Sequence, residues 1–297
     1  MKIIQGNYKE MRNDEPITIT MGNFDGLHLG HQQLIEKVIS FRDTKHAILT
    51  FDPHPSTILR DQKFRTLTQK EDKIQLFSSY PLDYAIIVDF TPEFSELSVM
   101  GFIEFLRSIK VERLVIGRDA RFGFRGEGTI NDLRRYFYVD VVEDLIFNHT
   151  RVSTTYIKDF IQNGDLTSAR MLLNRQYGIK GIVVHGNRIG HKLGFPTANI
   201  NYDNYLLPKN GVYYVRVFHK DKWYHAMANI GNNPTLNFTS EKRLEIYILD
   251  FNKTIYGDTL HIVFFNYLRE EMKMKNKRQL IKQLKKDEQE VRKLSKS

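Results

Sequence analysis

No cysteine occurs among the 297 residues. Disulfides, zinc–thiolate centres and cysteine nucleophiles are thereby excluded, and the main marker of a secreted scaffold is missing. No apolar run approaches the length of a membrane span. The start, MKIIQGNYKEMRNDEP, lacks the apolar centre of a signal peptide. A cytoplasmic protein without membrane association is the expectation. Internal repeats and low-complexity tracts are absent. So are a G-x-x-x-x-G-K-[ST] phosphate loop and the aromatic-rich RNP pattern of RNA-binding sheets.

What is present suits two globular domains of ordinary length. Hydrophobic residues make up 41% and charged residues 27%. The formal net charge is +9, from 44 Lys+Arg against 35 Asp+Glu. A basic surface can serve nucleic acid, anionic lipid or phosphorylated small molecules, and charge alone does not choose among them. Much of the excess lies between residues 273 and 296, where Leu280, Ile281 and Leu284 recur at helical spacing. That pattern reads as an amphipathic helix packed on the second domain with a solvated basic face. Nucleic acid is therefore not an expected partner, although a nucleotide-responsive nucleic-acid binder is the alternative from a different functional class.

Strand and helix signals alternate through the first half. Strands are expected at ITITM (17–21), HAILTF (46–51), YAIIVDF (84–90), ERLVIG (112–117) and FYVDVV (137–142), with helices at 32–39 and 100–109. This alternation predicts a doubly wound parallel sheet. A helical pair follows (154–164 and 165–174), with Asp165 as a cap for its second member. Beyond Gly178 the strands run without helices between them, at 179–185, 212–219, 222–229, 243–251 and 259–265. Closely spaced strands of this kind predict a small antiparallel barrel, closed by a final helix over 276–294. The boundary is placed at 177/178, giving domains 1–177 and 178–297.

The first chemical constellation is MGNFDGLHLGH (21–31), between a strand end and a helix start. Ligands of open α/β sheets bind at such junctions. Gly22, Gly26 and Gly30 allow close backbone approach, and the helix N-terminus favours an anion. His28 and His31 share a helical turn. They can be plain surface histidines, metal ligands with Asp25 or His54, or donors to phosphate oxygens, and the glycine-rich junction favours the last. Ser153, Thr154 and Thr155 precede a helix that carries Lys158. Their hydroxyls serve equally as helix caps or as phosphate ligands.

The second constellation is VVHGNRIGHKLGFPTAN (183–199), with glycines at 186, 190 and 194, followed by NIGNNPT (229–235) and LEIYILDF (244–251). On composition alone the first of these is a loop between strands. Thr197 and Asn199 are hard oxygen ligands of the kind that suit Mg²⁺ holding phosphates. Leu244, Ile246 and Ile248 alternate to one face, so Glu245 lies on the other, which pattern alone leaves as plain solvent.

Taken in order, these segments resemble the bacterial bifunctional riboflavin kinase/FMN adenylyltransferases. The first matches the family's G-x-F-D-x-x-H-x-G-H. TFDPHP (50–55), GRDARFGFRGEG (117–128) and RVSTTYIK (151–158) are similar to its T-F-x-P-H-P, G-x-D/N-F-x-F-G-x-x-x-x-G and R-x-S-S-T-x-I-R. The second half is similar to its H-G-x-x-x-G-x-x-x-G-F-P-T-A-N, N-I-G-x-x-P-T, L-E-x-x-x-x-D-F and, at Leu268–Lys273, L-R-x-E-x-K. The resemblance covers about residues 15 to 290 and implies ATP-dependent conversion of riboflavin to FMN and of FMN to FAD, with Mg²⁺. A family member retaining one of the two activities is the nearer alternative.

By position, the resemblance implies that His28 and His31 act on ATP phosphates and that Glu245 is the base of the kinase step. Gly22, Phe24, Asp25, Gly30, Arg151, Thr154, Thr155 and Lys158 would hold ATP or phosphate in the first site. Gly186, Gly190, Gly194, Pro196, Thr197 and Asn199 would do so in the second, with Thr197 and Asn199 on the metal. Pro53, His54, Asp119, Phe122 and Arg269 would contact flavin. The sequence departs from the family at Lys158 (arginine), Thr154 (serine), Arg118 (acidic), Ala120 (aromatic), Ile189 and His191 (arginines) and Tyr247 (histidine).

Overall fold

The computed structural model describes residues 1–60, 64–186, 194–232, 242–272 and 274–296. The chain divides into two compact units, Met1–Thr154 and Thr155–Ser297.

The first unit contains β1 (Lys2–Gly6), β2 (Ile17–Met21), α1 (Leu29–Ile39), β3 (Lys45–Asp52), α2 (Pro55–Leu59), α3 (Lys70–Phe77), β4 (Tyr84–Asp89), α4 (Pro92–Ser95), α5 (Val99–Ser108), β5 (Val111–Gly117), α6 (Ile130–Arg134), β6 (Tyr138–Val142) and the short pair β7 (Ile146–Phe147) and β8 (Thr150–Arg151). Six strands form one sheet in the order β1-β4-β3-β2-β5-β6, and every pairing is parallel.

Side chains alternate across a strand, and the sheet uses both faces. Ala47, Leu49, Ile86, Val88, Leu114 and Ile116 enter one apolar cluster, together with Phe102 and Leu106 of α5. Their neighbours Ile48, Ala85 and Val115 enter the opposite one, with Ile35 and Val38 of α1 and Phe77 of α3. Burial on both sides explains why these strands read as continuous apolar runs. The chain winds outward from β2 in one direction as far as β4 and in the other through β5 and β6. The gap between the carboxyl ends of β2 and β5 is therefore the point where winding reverses. β1 was not expected; as an edge strand with three exposed residues it carries little apolar signal.

The second unit contains α7, whose first residue closes the first unit (Thr154–Asn163), α8 (Leu166–Leu173), β9 (Gly178–Val184), β10 (Ala198–Asn201), β11 (Gly211–His219), β12 (Lys222–Asn232), β13 (Lys242–Ile248), β14 (Thr259–Arg269) and α9 (Lys277–Leu294). The strands close into an antiparallel barrel in the order β10-β13-β12-β11-β14-β9. Its interior holds Tyr213, Val215, Val217, Ala226, Ala228, Leu244, Ile246, Leu260 and Ile262. As expected, Asp165 caps α8, its carboxylate accepting from the Ser168 N–H at 3.0 Å. The helical pair falls with the barrel by contact density, whereas the change in strand pattern lies at 177/178.

Helix α9 lays Ile281, Leu284, Val291 and Leu294 against Phe195, Tyr214, Met227 and Leu249. Lys282, Lys285 and Lys286 remain exposed. The amphipathic stripe thus covers the barrel and the basic residues form its solvent face. The helix is also held by an ion pair. The Arg269 Nε donates to both Asp287 oxygens (3.0 and 3.1 Å) and its Nη2 to one of them (2.6 Å). Asp287 is buried and accepts a further bond from Gln283 at 2.8 Å.

Candidate active sites

In the first unit the loop after β2 bends sharply. Phe24 and Leu27 carry positive φ (47° and 42°), as does Gly26 (82°). Left-handed backbone at bulky residues is costly, so the loop needs anchors. One is the Phe24 ring, fully buried and edge-on to both His31 (5.1 Å) and Phe77 (5.8 Å). Another is Asp25, whose carboxylate accepts from the Leu67 and Thr68 N–H groups at 2.7 and 3.0 Å. The Thr68 hydroxyl in turn accepts from Gly26 N–H at 2.9 Å, and the Thr154 hydroxyl donates to the Asp25 carbonyl at 2.9 Å. Phe24 and Asp25 thus shape the loop from within the fold.

The two histidines are stacked, with ring centroids 3.6 Å apart and planes 19° from parallel. His28 is the N-cap of α1, its Nδ1 accepting from the His31 N–H at 3.3 Å. An accepting Nδ1 fixes the proton of a neutral imidazole on Nε2, which makes Nε2–H a donor. A Cβ at position 30 would press on the His28 ring at 3.3 Å, so Gly30 gives the stack its room. Burial, reinforced by the neighbouring His28 and Arg151, holds the His31 pKa well below the usual histidine value. His31 is therefore neutral at neutral pH. Among the described residues no group of three His, Asp or Glu side chains is arranged to hold a metal, so the metal reading of this pair finds no third ligand there.

A depressed histidine pKa has a consequence for stability. The unfolded chain binds a proton at His31 near the ordinary value of 6.5, whereas the folded chain does so only at lower pH. Stability therefore falls as pH drops below about 6.5 and levels off once the folded-state value is passed. Urea titrations of the full chain between pH 7 and 5 are expected to show this slope. The His31→Gln variant should lose part of it, and an unchanged slope in that variant would assign the acid sensitivity elsewhere.

At the other strand of the winding reversal, the loop after β5 carries Asp119, which meets Arg151 of β8. The pair is bidentate, at 2.5 and 2.7 Å, and the Arg151 Nε also reaches Asp144 at 2.9 Å. The Arg151 hydrogen bonds pull the Asp119 pKa below the usual carboxylate range and raise that of Arg151. Two residues named separately from the sequence are thus brought together, and Asp144 is one that sequence reading missed.

Phe122, on the same loop, is set by packing. Its ring is buried against Phe102 (centroids 5.1 Å apart), and a Cβ on Gly128 would strike it at 2.6 Å. His54, next to Pro53, caps α2 by accepting from Ser56 N–H at 3.1 Å and stacks on Phe64 at 4.6 Å. Thr155 and Lys158 lie at the start of α7, within the second unit.

In the second unit a row of polar residues crosses three adjacent strands. Asn199 of β10 is registered opposite Glu245 of β13, and Glu245 opposite Asn229 of β12. Their neighbours Ile200, Leu244, Ile246, Ala228 and Ile230 point into the barrel. The row is consequently on the outer face. Glu245 is only 23% exposed and lies 3.6 Å from the Arg243 Nε, so it is not simply a solvent carboxylate. Asn229 donates to Glu271 at 3.4 Å.

Two glycines are explained by the same row. A Cβ at position 186 would collide with the Asn199 amide at 1.9 Å, and one at 231 with the Glu271 carboxylate at 2.2 Å. Gly194 adopts φ +80°, which turns the chain ahead of the buried Phe195. Pro196 and Thr197 follow, both exposed, just ahead of β10. Gly190, Ile189, His191, Lys273 and the 233–235 part of NIGNNPT lie outside the described residues. Asn229 and Glu271 lie within the N-I-G-x-x-P-T and L-R-x-E-x-K segments, where pattern alone gives neither a role. Arg269, expected at flavin, has its guanidinium engaged by Asp287 and the Glu270 carbonyl.

Comparison with known proteins follows the same division. The family model described as FAD synthetase matches residues 10–156, and the one described as riboflavin kinase matches 173–295. A bifunctional riboflavin kinase/FMN adenylyltransferase of Listeria monocytogenes is 39% identical over 92% of this chain and 91% of its own. That of Bacillus subtilis is 36% identical over 92% and 90%. A solved structure described as a macrolide-efflux protein of Streptococcus pneumoniae is 29% identical, with a TM-score of 0.88 over 98% of both chains. No helix among the described residues is long and apolar enough to cross a membrane.

Proposed function

Because this chain belongs to the bacterial bifunctional riboflavin kinase/FMN adenylyltransferase family, we propose that its polar barrel row performs the kinase step and its stacked histidine pair the adenylylation. The chain is an enzyme of both activities, converting riboflavin to FMN and FMN to FAD with ATP. The observation that carries the division of labour is the match of one family model to each half.

In the kinase step the ribityl 5′-hydroxyl oxygen attacks the γ-phosphorus of ATP, its proton passes to a carboxylate, and ADP leaves. A neutral hydroxyl is a weak nucleophile, so a base within hydrogen-bond reach is useful. Glu245, flanked in register by two neutral amides, takes that role. Thr197 and Asn199 offer neutral hard oxygens. That donor set fits a Mg²⁺ ion that shares its shell with phosphates. Bound there, the ion would neutralise phosphate charge. Gly186 leaves the Asn199 side chain its place.

In the adenylylation an FMN phosphate oxygen attacks the α-phosphorus of ATP and pyrophosphate leaves. The nucleophile is already anionic, so no base is required and the task is alignment and charge neutralisation. His28, donating from Nε2, and the free N–H groups at the start of α1 supply donors to phosphate oxygens. A neutral His31 adds a donor without adding charge. Arg151 is held by Asp119 and Asp144, so a phosphate would have to exchange with those carboxylates to reach it. Thr155 and Lys158 are carried to the same reaction by the family pattern, and Asp119, Pro53 and His54 to the flavin.

Incubation of the protein with riboflavin, ATP and Mg²⁺, followed by chromatographic separation of riboflavin, FMN and FAD, tests the whole reading. FMN should precede FAD, and failure of either product to form would remove one activity. The kinase half should also work alone. Fragments starting at 155 and at 178 are both expected to make FMN and no FAD, the longer one melting at higher temperature because it keeps α8 against β14. A folded fragment that binds neither riboflavin nor ATP would refute the assignment.

A further inference from the structure

Helix α3 carries a lysine into the interior. Lys73 is 5% exposed, and its ammonium donates to the Phe51 carbonyl (3.1 Å), the Thr50 hydroxyl (3.2 Å) and the Asn23 carbonyl (3.4 Å). Lysine has three donors and no acceptor, so these partners use all of them. All three acceptors are neutral, and Lys73 forms no ion pair among the described residues. A buried charge held only by dipoles is costly, and burial accordingly lowers the Lys73 pKa against the opposing charges of Asp25 and Asp52.

The location gives that cost a purpose. Asn23 lies in the loop that follows β2 and precedes the histidine pair, while Thr50 and Phe51 end β3. The ammonium thus fastens two adjacent strand ends at the edge where a doubly wound sheet takes its ligand. The same loop is already strained at Phe24 and Leu27.

We propose that Lys73 is a positioning residue of the adenylylation: it fixes the loop that leads into His28 and His31 and supplies the standing positive charge that the ATP phosphates complete. This rests on the reading of residues 21–31 as the phosphate cradle. With every N–H engaged, Lys73 acts through the loop and through its field and does not itself touch substrate.

The test uses the full chain and four variants, with kcat and KM for ATP in FMN→FAD, FMN formation as internal control, and thermal unfolding of each. Lys73→Met keeps the stem and loses charge and donors. It is expected to lower kcat roughly 10- to 100-fold, the scale of a small misplacement, and to raise the KM for ATP while FMN formation holds. Lys73→Arg should recover most of both. Lys73→Gln keeps two of the three donors without charge and should recover kcat more than KM. A folded Lys73→Met variant with parental kcat and KM, beside a defective His28→Ala, would overturn the proposal and leave the cradle standing. Parental rates in both would sink the cradle and the proposal with it. If Met and Gln variants lose the folded first unit and Arg restores folding and rate in parallel, Lys73 is merely structural and the proposal also fails.

Discussion

Glu245→Gln is expected to lower FMN formation from riboflavin by about 10²–10⁴-fold, the usual worth of a general base, while FMN→FAD proceeds at the parental rate. Gln preserves the shape of the side chain and its place opposite Asn199 and Asn229, so the loss would report proton acceptance and not packing. The outer-face position supports that separation, since the barrel interior is built by Leu244 and Ile246 on either side. Two assays on one preparation decide it: riboflavin with ATP, and FMN with ATP. Equal damage to both reactions would point to a folding defect. An unaffected kinase rate would return Glu245 to a solvent-side carboxylate near Arg243.

His28→Ala is expected to act in the opposite half, reducing FAD formation about 10²–10³-fold, the scale for removing one preorganised donor from a developing charge, with FMN formation intact. His28 also caps α1, and loss of a cap costs about 1 kcal/mol. The two roles are separable with His28→Asn, because asparagine is a good N-cap but does not reproduce the imidazole Nε2–H. That variant should melt like the parent and still fail to make FAD. If instead it recovers activity together with stability, the histidine is a helix cap and the phosphate role falls.

The architecture was legible wherever burial wrote a long pattern. Both-sided burial of β3 and β4 makes AILT and AIIV continuous apolar runs, and one-sided burial of β13 makes RLEIYI alternate. Short or edge elements carry too few residues for either signature. β1 has the alternation of KIIQG on a largely exposed edge, and β10 shows one inward residue, Ile200, between two asparagines, so PTANIN reads as a loop. The site was legible as motif positions and less so as side-chain directions. Nothing in a motif says which way an aromatic faces, and Phe24 and Phe122 turn inward. Lys73 was invisible because KEDKIQLF looks like any helix with a charged side. Asp144 has no pattern at all, being meaningful only once β8 brings Arg151 beside it.

The Arg269–Asp287 pair constrains how this sequence can vary. Among the described residues each partner has only the other for a counter-charge, apart from neutral groups, and Asp287 is shielded from water. Removing either one strands a charge in the seam between β14 and α9, at a cost of about 3–5 kcal/mol. Exchanging both for apolar residues that fill the same volume leaves no such orphan. Mutational paths through these positions are therefore epistatic: each single step crosses a valley that the double change does not.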